Sequence, residues 1–257
     1  MLFLVGTGLA KKDISYNAIE ICKNCELFVD RYTATIDQEK LDFLAEIIGR
    51  RIQELTRSDL EEESKELVER ARHADIAVLV GGDPLIATTH KILFIEAKKR
   101  DVPVHVLHAS SIASAIIGES GLDFYRFGPI CTISRWSEKY KPTSFYETIQ
   151  RNMQSNLHSL VLLDYDTETA ASLSLKDTAS ILEAAEAKHR QGIITPDTQI
   201  FIMHNISIDG EQKTLTTFSE AKGIAFKGGM TAIILPAKIS DIEHEIIGCI
   251  YRGKSWR

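Results

Sequence analysis

Through the first half of the chain, short uninterrupted apolar runs alternate with segments whose apolar positions recur every three to four residues. Residues 2–5 (Leu-Phe-Leu-Val), 27–29, 76–80 (Ile-Ala-Val-Leu-Val) and 102–107 read as strands. The run at 76–80 has no polar position, as expected of a central parallel strand covered on both faces. Between the strands, residues 15–21, 41–48, 60–74, 88–99 and 112–117 carry helical spacing, with Ala18, Ile19 and Cys22 on one face of the first. Ser58 or Asp59 is the expected cap of the third, and Thr88 and Thr89 the expected helix-start hydroxyls of the fourth. This alternation predicts a mostly parallel sheet with helices on both sides.

The pattern changes near residues 136–142, which are polar and end in Pro142, as a linker would. Ser144 and Glu147 have the spacing of a capping box opening a helix to about residue 156. Strands are predicted at 159–163, 200–203 and 231–235, with a short edge strand at 215–218. Helices are predicted at 175–189, capped by Ser174 with Asp177, and at 239–251. The chain is therefore read as α/β with two α/β domains, 1–136 and 137–257. The first has a mostly parallel sheet and the second a mixed one.

The 257 residues suffice for two such cores. Apolar residues make up 44% and charged residues 26%, which excludes disordered and fibrous classes. Acids outnumber bases 36 to 30, for a net charge of −6, so a nucleic-acid backbone is not the expected partner. No apolar run reaches the length of about 18 residues that a membrane span needs. The apolar start is too short for a signal peptide and reads as a buried strand. The four cysteines, Cys22, Cys25, Cys131 and Cys249, are too few for a disulfide scaffold and fit a reducing cytoplasm. Cys22 and Cys25 form a C-x-x-C near a helix end with no second ligand pair, so they are read as half-buried thiols and no metal is expected.

Three of the predicted strands end in small-residue loops: Gly6-Thr7-Gly8-Leu9, Gly81-Gly82-Asp83-Pro84 and Ala109-Ser110-Ser111-Ile112. In open α/β sheets, ligands bind beyond the carboxyl ends of strands. Gly6 and Gly8, with Asp30 closing the second strand, partly match a dinucleotide fingerprint. That fingerprint needs a small residue at position 11, where Lys11 stands. Gly82-Asp83-Pro84 follows the strongest strand; its carboxylate suits a cationic or ammonium-bearing ligand. His108 ends a strand beside the serine loop and is the histidine to test for positioning or base chemistry. His90 reads as a partly exposed helix residue. His105 and His158 read as strand histidines without visible partners. No pattern of a hydrolase triad or a zinc protease occurs.

These loops occur together with further motifs: Gly121-Leu122, Tyr125-Arg126-Phe127-Gly128, Pro142-Thr143-Ser144-Phe145-Tyr146 and Leu157-His158-Ser159-Leu160 leading to Asp164. In this order, over essentially the whole chain, they resemble the diphthine synthase family. The Gly-Asp-Pro motif alone is shared with the wider tetrapyrrole-methylase-like superfamily. The extension to Ala87-Thr88-Thr89-His90 and the Pro142-to-Tyr146 segment match diphthine synthases in particular. The chain departs from the family at Gly81 and Ser110, where proline is frequent, and matches it thinly at Gly228-Gly229-Met230-Thr231.

The resemblance implies a homodimeric, cytoplasmic methyltransferase. It would use S-adenosyl-L-methionine to methylate a histidine of translation elongation factor 2 that already bears a 3-amino-3-carboxypropyl group. It further implies a donor site in the cleft between the domains, lined by Leu9, Asp83, Ile86, Ser111 and Ile112 from the first and Leu163, Ile206 and Thr231 from the second. Such a lining suits the chemistry. Methyl transfer neutralises the sulfonium, so an anionic cage around sulfur would favour the ground state over the transition state. Apolar walls near sulfur and polar groups at the remote ends are expected, with Asp83 at an ammonium or hydroxyl end. Three alternatives remain at this level: a tetrapyrrole methyltransferase of the same superfamily, a nicotinamide-dependent oxidoreductase resting on Gly6, Gly8 and Asp30, and a non-catalytic module that binds the translation factor.

Overall fold

A central strand buried on both faces must alternate its side chains between two cores, and the run at 76–80 does so. In the computed structural model, which describes residues 1–31, 36–56 and 64–251, Ile76, Val78 and Val80 join one apolar cluster and Ala77 and Leu79 another. All five are fully buried.

The described elements of the first unit (Met1–Ile112) are β1 (Leu2–Gly6), α1 (Tyr16–Cys22), β2 (Glu26–Asp30), α2 (Gln38–Ile48), β3 (Ile52–Leu55), α3 (Ser64–Arg70), β4 (Ile76–Val80), α4 (Lys91–Lys99) and β5 (Val104–Leu107). The sheet order is β3-β2-β4-β1-β5, every pair parallel. All five strands therefore end at the same edge. The cluster on one face includes Leu93 and Ala97 of α4; that on the other includes Ala18 and Cys22 of α1 and Leu41 and Leu44 of α2. Ser15 caps α1, its hydroxyl accepting from the Ala18 N–H at 3.2 Å. The expected cap of the helix at 60–74, Ser58 or Asp59, lies outside the described residues.

The second unit (Ala113–Arg257) contains most of α5 (Ile112–Glu119), β6 (Cys131–Ile133), α6 (Ser144–Gln154), β7 (Ser159–Leu163), a hairpin of β8 (Tyr165–Asp166) and β9 (Ala171–Ser172), α7 (Leu175–His189), β10 (Gln199–His204), β11 (Gln212–Thr217), α8 (Phe218–Ala221), β12 (Thr231–Leu235) and α9 (Asp241–Ile250). Its sheet, β11-β10-β12-β7-β6, is mixed: β6 and β7 are parallel and the other pairs antiparallel. One face packs Val161, Ile202 and Ile233 against Phe145, Tyr146 and Ile149 of α6 and Leu182 and Ala185 of α7.

Several expectations are corrected here. The division falls at Ile112/Ala113, where the polar segment 136–142 had suggested 136/137, because β6 hydrogen-bonds to β7 and so belongs to the second sheet. Ser144 is not a cap: Thr143 occupies the N-cap position and makes no side-chain cap bond, so the capping box does not form. The helix expected from residue 88 begins at Lys91, and the Thr88 hydroxyl donates to the Pro84 carbonyl at 2.8 Å and caps no amide. His90 is buried, not partly exposed. Cys22 and Cys25 are both buried at the end of α1, where desolvation pushes their thiols up to about 12 and about 11.

Candidate active site

At the carboxyl edge of the parallel sheet the three small-residue loops are tied to one another. The Gly8 N–H donates to the Gly82 carbonyl at 3.3 Å, and the Gly82 N–H returns to the Gly8 carbonyl at 2.9 Å. Both glycines have φ near +69°, which a Cβ would strain. A Cβ on Gly6 would stand 2.8 Å from both the Ala109 Cβ and the Gly82 carbonyl. The sequence spends its glycines on packing these loops against each other. That differs from a dinucleotide fingerprint, where glycine admits a pyrophosphate. Asp30, the acid such a site would need for a ribose, is wholly buried with its Oδ2 3.0 Å from His90 Nε2.

Asp83 joins the second loop to the third. Its Oδ1 accepts from the Leu85 N–H at 2.9 Å; its Oδ2 lies 2.8 Å from His108 Nδ1 and accepts from the Ala109 N–H at 3.3 Å. An ionised carboxylate only accepts, so Nδ1 is the His108 nitrogen that donates to it. The acid is only 6% exposed, whereas the imidazole side chain is 67% exposed. A buried acid thus orients a solvent-exposed imidazole. Asp83 was expected at a donor's ammonium or hydroxyl end; much of its acceptor capacity is spent within the protein.

Leu9 is half-buried. Its N–H donates to Asp13 Oδ2 at 3.0 Å and to Ser110 Oγ at 3.2 Å. Its carbonyl accepts from the ammonium of Lys40 at 3.3 Å, which also reaches the Gly8 carbonyl at 2.7 Å. Ile86 is exposed at 46%, unusual for a large aliphatic side chain in a loop beside a sheet edge. Ser111 is buried and Ile112 half-buried at the start of α5.

The other three expected site residues share one end of the second sheet. Leu163 ends β7 and Thr231 begins β12, each one step beyond the Leu162–Ala232 pair. Thr231 pairs with His204 at the end of β10, two residues before Ile206. The Thr231 hydroxyl lies 2.9 Å from His204 Nδ1, and burial pushes the His204 imidazole below its ordinary range. Leu163 and Ile206 are buried, so their contribution to a surface is through backbone more than side chain. Asn205 and Ser207 flank Ile206 with φ of 50° and 68°, left-handed values that mark this turn as strained.

Two groups were missed from sequence. Lys40 lies in the first turn of α2, where a cation opposes the helix dipole; that anomaly was the available signal. The Glu243 carboxylate, in the second unit, receives His158 Nε2 at 2.9 Å, the Asp123 N–H at 2.9 Å, the Ser240 N–H at 2.8 Å, and Arg126. The spacing Ser240-x-x-Glu243 was its signal, and the capping box there is complete.

A family model of tetrapyrrole (corrin/porphyrin) methylases matches residues 1–222. A diphthine synthase of Methanothermobacter thermautotrophicus is 34% identical over 252 residues, spanning 96% of this chain and 94% of that protein. The chain belongs to the diphthine synthases, within the tetrapyrrole methylases. The human diphthine methyl ester synthase is 32% identical over 231 residues, 89% of this chain and 79% of that protein. A crystal structure of a diphthine synthase superposes with a TM-score of 0.85 at 29% identity, covering 97% and 95% of the two chains. Like other diphthine synthases, this chain is an S-adenosylmethionine-dependent methyltransferase of diphthamide biosynthesis. The nicotinamide and non-catalytic readings are thereby set aside. Among the described residues no helix is long and apolar enough to cross a membrane.

Proposed function

We propose that this methyltransferase acts on the 3-amino-3-carboxypropyl histidine of translation elongation factor 2, with the donor held by Leu9, Asp83, Ile86, Ser111, Ile112, Leu163, Ile206 and Thr231. The observation that carries the reading is the Asp83–His108 pair at the joined loops. S-adenosylmethionine supplies an electrophilic methyl on a sulfonium. The chain's own residues must then supply position and a proton acceptor. The exposed Ile86 offers an apolar wall, as a leaving sulfur that loses charge prefers. The backbone N–H groups and hydroxyl of the Ser111 region suit polar ends of the donor.

An acceptor amine attacks only after losing its proton. His108 Nε2 takes that proton and Asp83 stabilises the imidazolium; the freed amine lone pair then forms the N–C bond as the C–S bond breaks. The spent sulfur leaves as a neutral thioether. The same reading has the enzyme working as a homodimer in the cytoplasm, where the elongation factor works. Mass spectrometry of the factor's modified histidine after incubation with enzyme and donor tests the proposal. Added increments of 14 Da on that side chain are expected. An unmodified histidine, with a porphyrinoid methylated in a parallel reaction, would replace this acceptor with a tetrapyrrole.

A further inference from the structure

Among the buried ionisable groups of the first unit that the mechanism leaves unused, Lys40 is the one bonded to the joined loops. Lys40 is 4% exposed, a rare state for a lysine. Its surroundings are specific. The ammonium donates to the Gly8 carbonyl at 2.7 Å and to the Leu9 carbonyl at 3.3 Å. The Gly8 carbonyl is the same one that accepts from the Gly82 N–H, at the bridge between the first and second loops. Lys40 therefore meets the two loops where they join, one residue before Asp83. Leu9 is fixed on both sides of its peptide: its N–H by Asp13 and Ser110, its carbonyl by Lys40.

The sequence builds Lys40 into place from α2. Asp37, the N-cap of that helix, accepts from the Lys40 backbone N–H at 2.7 Å. The carboxylates of Asp13 and Asp37 are the charges that face the ammonium and favour its charged form; burial opposes them and prevails, bringing its pKa down to about 8. A cation this buried costs free energy, and two carbonyls with two nearby carboxylates offset only part of it. An apolar residue would fill the same stem without that cost. The positive charge is thus accounted for by what it holds.

We infer that Lys40 is a positioning residue for methyl-donor binding, acting from behind by fixing the Gly8–Leu9 turn and its bridge to the loop of Asp83. The inference rests on the donor reading above, and the two can fail separately. Calorimetry of the wild-type protein with S-adenosylmethionine and S-adenosylhomocysteine comes first. Lys40→Met keeps the stem and removes the ammonium. It is expected to raise the Kd for both nucleotides at least tenfold and to raise KM for the donor alike. At saturating donor, kcat should stay within about threefold, since the base is untouched. A general folding defect would instead lower kcat and the folded fraction together.

Wild-type protein that binds neither nucleotide overturns the donor reading and this inference with it. Wild-type protein that binds, with a Lys40→Met variant that binds equally well, overturns this inference alone. Should the variant fail to fold, the wild type decides through amine labelling followed by mass spectrometry. Saturating S-adenosylhomocysteine should slow acetylation of Lys40 at least fivefold, with the exposed Lys188 of the second unit unchanged. An unchanged rate at Lys40 breaks the proposed link between this side chain and the donor.

Discussion

Two of the molecule's carboxylate–imidazole pairs, one in each unit, share a buried acid but set their imidazoles in opposite surroundings. In the first unit Asp83 holds His108, whose side chain is 67% exposed; in the second Glu243 holds His158, which is fully buried. Both acids also accept backbone N–H groups, and both tie together segments distant in sequence. The partner's second nitrogen makes the difference. His158 Nδ1 accepts from the Ala237 N–H at 3.0 Å, so both of its nitrogens are engaged and it cannot exchange a proton with a ligand. Among the described residues His108 bonds only through its Nδ1, and Nε2 is the nitrogen the proposed reaction uses. Burial drives the His158 imidazole below its ordinary range, so it stays neutral, while several donors bring Glu243 down to about 2. A carboxylate–imidazole pair in a structure is therefore no sign of catalysis until the outer nitrogen is traced.

The sharpest way to break this contrast is to remove each pair. His108→Ala should lower kcat about a hundredfold or more, as loss of a general base does, with the thermal midpoint and donor Kd almost unmoved. An activity within threefold of wild type would take His108 out of the reaction. Glu243→Ala should do the reverse. It strands the Arg126 guanidinium and the amides of Asp123 and Ser240, at a cost of about 3–5 kcal/mol in chemical denaturation. A loss below about 1 kcal/mol would mean that Glu243 is not the clamp its bonds suggest.

Acid titration sharpens the second half of the contrast. The Glu243 pKa is depressed by folding, so its stabilisation is complete above the ordinary glutamate value of 4.5 and disappears as pH falls toward about 2. A Glu243→Gln variant should lack the part of acid destabilisation that falls in this window. Identical acid profiles of the two proteins would count against the clamp. On a smaller scale, Asp83→Ala should weaken donor binding about tenfold by calorimetry, because the amides of Leu85 and Ala109 and the ring of His108 lose their common acceptor. Unchanged affinity would remove Asp83 from the donor site.

Legibility in the sequence follows the same division between local and distant causes. Strands β1, β4, β7 and β12 were visible because burial on both faces gives them runs of at least four apolar residues, and α7 because Ser174 caps it at 3.0 Å from the Asp177 N–H. Strands β3 and β6 were not: Ile52-Gln-Glu-Leu55 and Cys131-Thr-Ile133 are short and partly polar, and only their neighbours β2 and β7 make them strands. Missing β6 also misplaced the domain boundary. The three loops were legible as small-residue turns after strands. Their fastening was not, since the bonds from Asp83 to His108 and from Lys40 to Gly8 span 25 and 32 residues. Nor could sequence show that Asp30 faces His90 instead of a ribose, because burial of a strand-end acid depends on the helix laid over it.

The smallest test asks whether the loops of the first unit are held by buried charge or by the many hydroxyls around them. Ser110 Oγ accepts from the Leu9 N–H at 3.2 Å and donates to Asp13 at 3.2 Å, so it touches the same turn as Lys40. Yet Ser110 is exposed, both of its bonds are long, and water can replace each of them. The Leu9 N–H also keeps its shorter bond to Asp13 when the hydroxyl is gone. Ser110→Ala should therefore change stability by less than about 0.5 kcal/mol and the donor Kd by less than about threefold. A tenfold loss of affinity from this exposed serine would shift the fastening of the site from Asp83 and Lys40 to the loop surface, and the parallel drawn with the buried clamp at Glu243 would then fail.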